Sequence, residues 1–148
     1  MNRVSALLIG ALLLAMGAVA AAQPVAVKLS DVKWTDMKGM PAGWKRAVLV
    51  GDPEKPGPYV VRLKVPANAK IPPHSHPDTE NITVLSGSLG IGEGDKFDKS
   101  KGTTLGVGSF YLLPGNTVHY AWTGSKGVIL QVHGVGPIGI KMVDQPKQ

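Results

Sequence analysis

At 148 residues the chain has room for one domain, and it contains no cysteine, which excludes both a disulfide framework and a lipid-modified N-terminal cysteine. Sixteen Lys and Arg against ten Asp and Glu give a formal charge of +6. Those charges are scattered, with only a loose cluster at Lys96, Lys99 and Lys101, and aromatics are 5% of the residues, so the pattern argues against nucleic-acid binding.

The first segment reads as an export signal. Met1-Asn2-Arg3 supplies a short positive start, Val4 to Met16 is almost wholly apolar, and Gly17-Ala18-Val19-Ala20-Ala21-Ala22 ends in small residues. That order predicts a signal peptide over 1–22, cleaved after Ala22, and hence a periplasmic or secreted protein. The apolar run is short for a spanning helix and no basic stop-transfer cluster follows it, so no stable membrane anchor is expected. The mature chain keeps a charge of about +5 and is long enough to bury a core without staples.

Beyond the leader, short runs of Val, Ile, Leu and Tyr are bounded by Gly, Pro, Asn or Asp, as in strands. Ala47 to Val50 ends at Gly51-Asp52-Pro53. Tyr59 to Val65 ends at Pro66-Ala67-Asn68, and its apolar residues alternate with Arg62 and Lys64, which gives one buried side. Glu80 to Leu85 stops at Ser86-Gly87, Ser109 to Leu113 at Pro114-Gly115-Asn116, Val118 to Thr123 at Gly124, and Gly127 to His133 at Gly134. No segment after residue 25 carries a sustained helical period, so the expected class is all-β, a sandwich or barrel. Residues 23–58 form an N-terminal arm with the first strands, and 59–148 the main β core with a C-terminal tail.

Three of the four histidines and one glutamate stand where strands are expected. In Pro73-His74-Ser75-His76-Pro77-Asp78-Thr79-Glu80, an extended backbone points His74 and His76 to the same face. Glu80 follows a Pro77-Asp78 turn signal and could re-enter the sheet beside them. His119 begins a later strand after Pro114-Gly115-Asn116, and a hairpin or sandwich could bring it opposite the first pair. Three neutral imidazoles and a carboxylate suit a borderline divalent ion. On six-coordinate Fe(II), Mn(II) or Ni(II) these four ligands leave two positions for water or substrate, whereas on tetrahedral zinc they close the site.

The residues His74, His76, Glu80 and Gly87, followed by Gly108, Pro114 and His119, resemble the two cupin motifs in order and spacing. The likeness spans about residues 59 to 133. Asn68 stands where the first motif has its leading glycine, Gly115 follows Pro114 directly with Asn116 in the usual glycine place, and Thr123 holds the trailing asparagine position. These departures touch turns and leave the four ligands intact. The resemblance implies a double-sheet jelly-roll β-barrel, one divalent metal ion (Fe, Mn, Ni or Zn) on His74, His76, Glu80 and His119, a small-molecule ligand or substrate, and a homodimer.

Other residues carry two readings each. His133 shares a strand face with Gln131, where it is either a general base or substrate contact, or a surface residue. Trp44, Tyr59, Tyr111, Tyr120 and Trp122 either wall a pocket or fill the core. Arg62 either recognises a carboxylate or covers a solvated sheet face, while Asp95 and Asp98 read as loop. Among functions, a small-molecule metalloenzyme with oxidative, dioxygenase-like chemistry leads, with Glu80 as ligand, base or both. The alternative is a non-catalytic metal- or ligand-binding or sensing module.

Overall fold

Strand β3 (Gly57–Val65) shows why these runs become a sheet: Tyr59, Val61 and Val65 are buried while Arg62 and Lys64 stand on the opposite side. The computed structural model describes residues 23–143; the expected signal peptide over 1–22 and the end of the C-terminal tail, 144–148, lie outside the described residues. Around β3 lie β1 (Thr35–Asp36), β2 (Lys45–Val50), β4 (Lys70–Ser75), β5 (Glu80–Glu93), β6 (Thr103–Leu105), β7 (Phe110–Leu113), β8 (His119–Gly136) and β9 (Lys141–Met142). Two single 3-10 turns, Leu29–Asp31 and Lys99–Lys101, are the sole helical elements among the described residues.

Every strand pair is antiparallel, and the long β5–β8 ribbon is the spine. Its register runs from Asn81 opposite His133 to Glu93 opposite His119. The first half of β5 is flanked by β7, and the second half of β8 by β3 and β2. The other end of the ribbon carries β6 on one side, with β4 and β9 on the other. The sheet therefore curls into the two layers of a jelly roll. Tyr59, Val61, Ile82, Val84, Leu89, Leu113, Ala121, Leu130 and Val132 pack between the layers.

Two of the strand ends read from sequence are bends within longer strands. β5 runs on through Ser86-Gly87, and the stretches 118–123 and 127–133 largely merge into β8. Gly87 and Gly127 adopt φ of 74° and 70°, which permits irregular pairing in a continuous ribbon. A Cβ on Gly87 would stand 2.0 Å from the carbonyl oxygen of Gly127. Turn composition alone does not separate such a bend from a chain reversal.

The aromatics are core residues. Tyr59, Tyr120 and Trp122 are buried, and Trp44 and Tyr111 pack half-buried against the apolar cluster. Tyr120 and Trp122 lie over Gly92 and Gly90 and are capped by Phe97. Asn68, standing where the motif has glycine, takes φ 54°, and Asn116 takes 62°.

Candidate metal centre

The pairing of β4 with β8 sets His74 directly across from His119. His76 follows just past the end of β4, and its ring lies 4.9 Å from that of His74 and 5.3 Å from that of His119. The His74 and His119 rings are 4.1 Å apart. One ring nitrogen from each of the three lies within 4.8 Å of the other two, so the trio could hold a metal ion. His74 and His119 are 4% exposed, which keeps these two rings out of bulk water, while His76 is half-buried.

Each ring is also held in one tautomer. Nδ1 of His74 lies 2.7 Å from the Pro72 carbonyl, Nδ1 of His76 2.6 Å from that of Gly139, and Nδ1 of His119 3.0 Å from that of Thr117. A carbonyl oxygen only accepts, so in each case Nδ1 carries and donates the proton, and the neutral ring offers its Nε2 lone pair. Burial strengthens the neutral state. It pulls His74 down to about 4, against the Pro72 carbonyl and helped by the neighbouring rings. His119 is likewise lowered, chiefly by burial. Three neutral imidazoles with backbone-fixed orientation form a donor set that suits a divalent transition ion.

Glu80 opens β5 and is buried, with Oε2 3.9 Å from Nε2 of His76. That separation is too long for a hydrogen bond, and Glu80 stands beside the three-histidine group, next to His76. Burial pushes its carboxyl above the ordinary range, while His76 opposes the rise. His133 is placed elsewhere. It is exposed on the face opposite the buried Val132, where Gln131 donates to its Nε2 at 3.1 Å. Arg62 shares that outer surface and donates to Oε1 of Gln131 at 3.1 Å.

Several site neighbours went unnoticed in the sequence. The Tyr59 hydroxyl donates to Oδ2 of Asp78 at 2.7 Å, fastening the turn between His76 and Glu80 to the core. Oδ1 of Asp78 is buried with no hydrogen-bond partner among the described residues. Gly134 leaves the space for this pair, since a Cβ there would lie 2.4 Å from the Tyr59 hydroxyl. Glu93 stands across from His119 and accepts from the Tyr111 hydroxyl at 3.0 Å. The alternation Leu89, Ile91, Glu93 was the available signal, with the first two buried in the core. The Gly139 carbonyl arrives with the segment leading to β9, which pairs with β4, and nothing local announces it.

The sequence profile of the ChrR cupin-like domain matches residues 22–138. The chain belongs to that cupin family. Solved structures agree on the fold of this cupin. The polyketide cyclase RemF from Streptomyces resistomycificus superposes with a TM-score of 0.67 at 22% identity, covering 84% of this chain and 89% of the cyclase. The DMSP lyase DddQ from Ruegeria pomeroyi gives 0.62 at 16% identity, over 80% of this chain and 64% of the lyase. An uncharacterized conserved protein with a double-stranded β-helix domain from Klebsiella pneumoniae gives 0.56 at 22% identity, over 73% and 90%. At such identities the likeness speaks for fold alone. No curated protein matches the sequence.

Proposed function

We propose that this cupin holds one divalent metal ion on His74, His76 and His119, with Glu80 as the fourth ligand, and acts on a small molecule by oxidative, dioxygenase-like chemistry. The observation that carries the reading is the set of three Nδ1–carbonyl hydrogen bonds, which leave Nε2 of His74, His76 and His119 free to face a metal. When bound, such an ion supplies Lewis acidity towards a substrate oxygen and, in the case of iron, redox capacity. The protein's part is to orient and to exclude water: backbone carbonyls fix the rings, and the jelly-roll core shields them. Glu80, buried with its carboxyl raised, would give up its proton to serve as the fourth ligand. Solved neighbours described as a polyketide cyclase and a DMSP lyase lend support to action on a small molecule.

Oxygen uptake by iron-loaded protein against a panel of diketones, enols and hydroxy acids tests this reading. Substrate-dependent uptake that disappears in His76→Ala is the expected result; uptake that survives loss of the metal overturns it. A second reading rests on the donor set. Three imidazoles and a carboxylate complete a tetrahedral zinc site, so tightly held zinc with no turnover favours a binding or sensing cupin. Export with cleavage near Ala22 and pairing into a homodimer belong to the same proposal. An intact mass starting at Gln23 and a dimeric mass in solution are the expected findings.

A further inference from the structure

The Glu93–Tyr111 pair lies beside the metal centre and has no part in holding the rings. Glu93 continues the inward alternation of Leu89 and Ile91, both buried in the core. The Gly94 N–H donates to the Val118 carbonyl at 2.9 Å, so 94 and 118 form a hydrogen-bonded pair. The adjacent pair, Glu93 with His119, is then of the narrow, non-hydrogen-bonded kind, in which side chains on one face stand closest. Tyr111, across from the buried Ile82, packs against the core and directs its hydroxyl to Oε1 of Glu93.

This leaves an anchored carboxylate with one oxygen engaged. Among the described residues nothing donates to Oε2 of Glu93. An exposed glutamate ordinarily swings freely, but the phenol holds this one on the His119 side of the site. The carboxylates near the centre are Glu80 and Glu93, with Asp78 behind Glu80, and among the described residues no Lys or Arg is hydrogen-bonded to any of them. A ligand entering here meets a fixed acceptor at Glu93. From this we infer that Glu93, positioned by Tyr111, is a specificity-determining residue. It selects small ligands that carry a free hydroxyl, or a comparable hydrogen-bond donor, next to the group that binds the metal.

The inference rests on the proposed metal-binding function, and the test separates the two. The protein is loaded with whichever of Fe(II), Mn(II), Ni(II) or Zn(II) it retains at one equivalent, and metal content is measured in the same sample. Affinities are then compared by calorimetry for acetohydroxamate and glycolohydroxamate, which share a metal-binding head and differ by one hydroxyl. Wild type is expected to prefer the glycolyl probe about tenfold, the worth of one hydrogen bond to a charged acceptor. Glu93→Leu should bring the ratio close to one with metal content and acetohydroxamate affinity retained. Tyr111→Phe, which leaves the carboxylate but frees it, should give an intermediate ratio. Equal affinity of wild type for both probes, or a preference unchanged in Glu93→Leu, overturns the role of Glu93 while leaving the metal centre standing. Failure to retain any metal overturns both.

Discussion

Replacing Tyr59 with Phe removes one oxygen from a residue that is 1% exposed and otherwise leaves the core packing in place. The lost hydroxyl donates to Oδ2 of Asp78 at 2.7 Å, and Oδ1 of the same carboxylate already lacks a partner among the described residues. The variant therefore leaves both oxygens of that carboxylate without a donor among the described residues. A hydrogen bond to a charged group contributes about 1.5–3 kcal/mol. Relief from burying the hydroxyl offsets part of this, so the expected destabilisation is about 2 kcal/mol. Urea unfolding reads it as a lower midpoint at unchanged slope. A double-mutant cycle with Asp78→Ala sharpens the test, because that single change strands the buried Tyr59 hydroxyl. The double variant should cost less than the sum of the singles by at least about 1 kcal/mol. Because Asp78 lies between His76 and Glu80, Tyr59→Phe should also weaken metal retention. A loss below about 0.5 kcal/mol, or strict additivity in the cycle, refutes the reasoning.

Thr123, 2% exposed, donates to the Pro66 carbonyl at 2.6 Å and accepts from the Ala69 N–H at 2.9 Å, so Thr123→Val strands two backbone groups. Thermal and urea melts should show a loss of about 2 kcal/mol, and a neutral effect counts against this pinning of the Asn68 turn. At Gly90 a Cβ would stand 1.8 Å from the Trp122 indole; Gly90→Ala should cost about 3 kcal/mol and shift tryptophan emission, whereas native emission and stability contradict the packing described. Metal-free protein should lose stability as pH falls from about 6.5 towards 4, because His74 and His119 are depressed in the fold and the unfolded chain binds the extra protons, while the raised Glu80 carboxyl, protonated earlier in the fold, offsets part of the loss. Urea midpoints above pH 6.5 and near pH 4, taken in chelator, check the sign; a flat or rising midpoint on acidification opposes it.

The trio of His74, His76 and His119 was legible from two short-range rules together with the resemblance to the cupin motifs, which implied that the three share a metal. Alternation puts His74 and His76 on one face, and the turn after Pro114 starts a strand at His119. Asn68 and Asn116 were readable as turn residues standing in the motifs' glycine places, and both take positive φ. Less legible were features fixed by distant chain. The bends at Gly87 and Gly127 look like strand ends because a bulge and a reversal draw on the same residues. The Gly139 carbonyl behind His76 and the Tyr59–Asp78 bond join segments 63 and 19 residues apart. Periodicity placed Gln131 and His133 on one face but could not say which face lines the barrel. The outer position of His133 follows from the burial of Val128, Leu130 and Val132.

The central claim is a metal ion on the three histidines, and elemental analysis of the purified full chain beside His119→Ala tests it most directly. The account predicts close to one equivalent of iron, manganese, nickel or zinc in wild type and its loss from a folded His119→Ala protein. Wild type without metal, or a variant that keeps the same metal content, contradicts it.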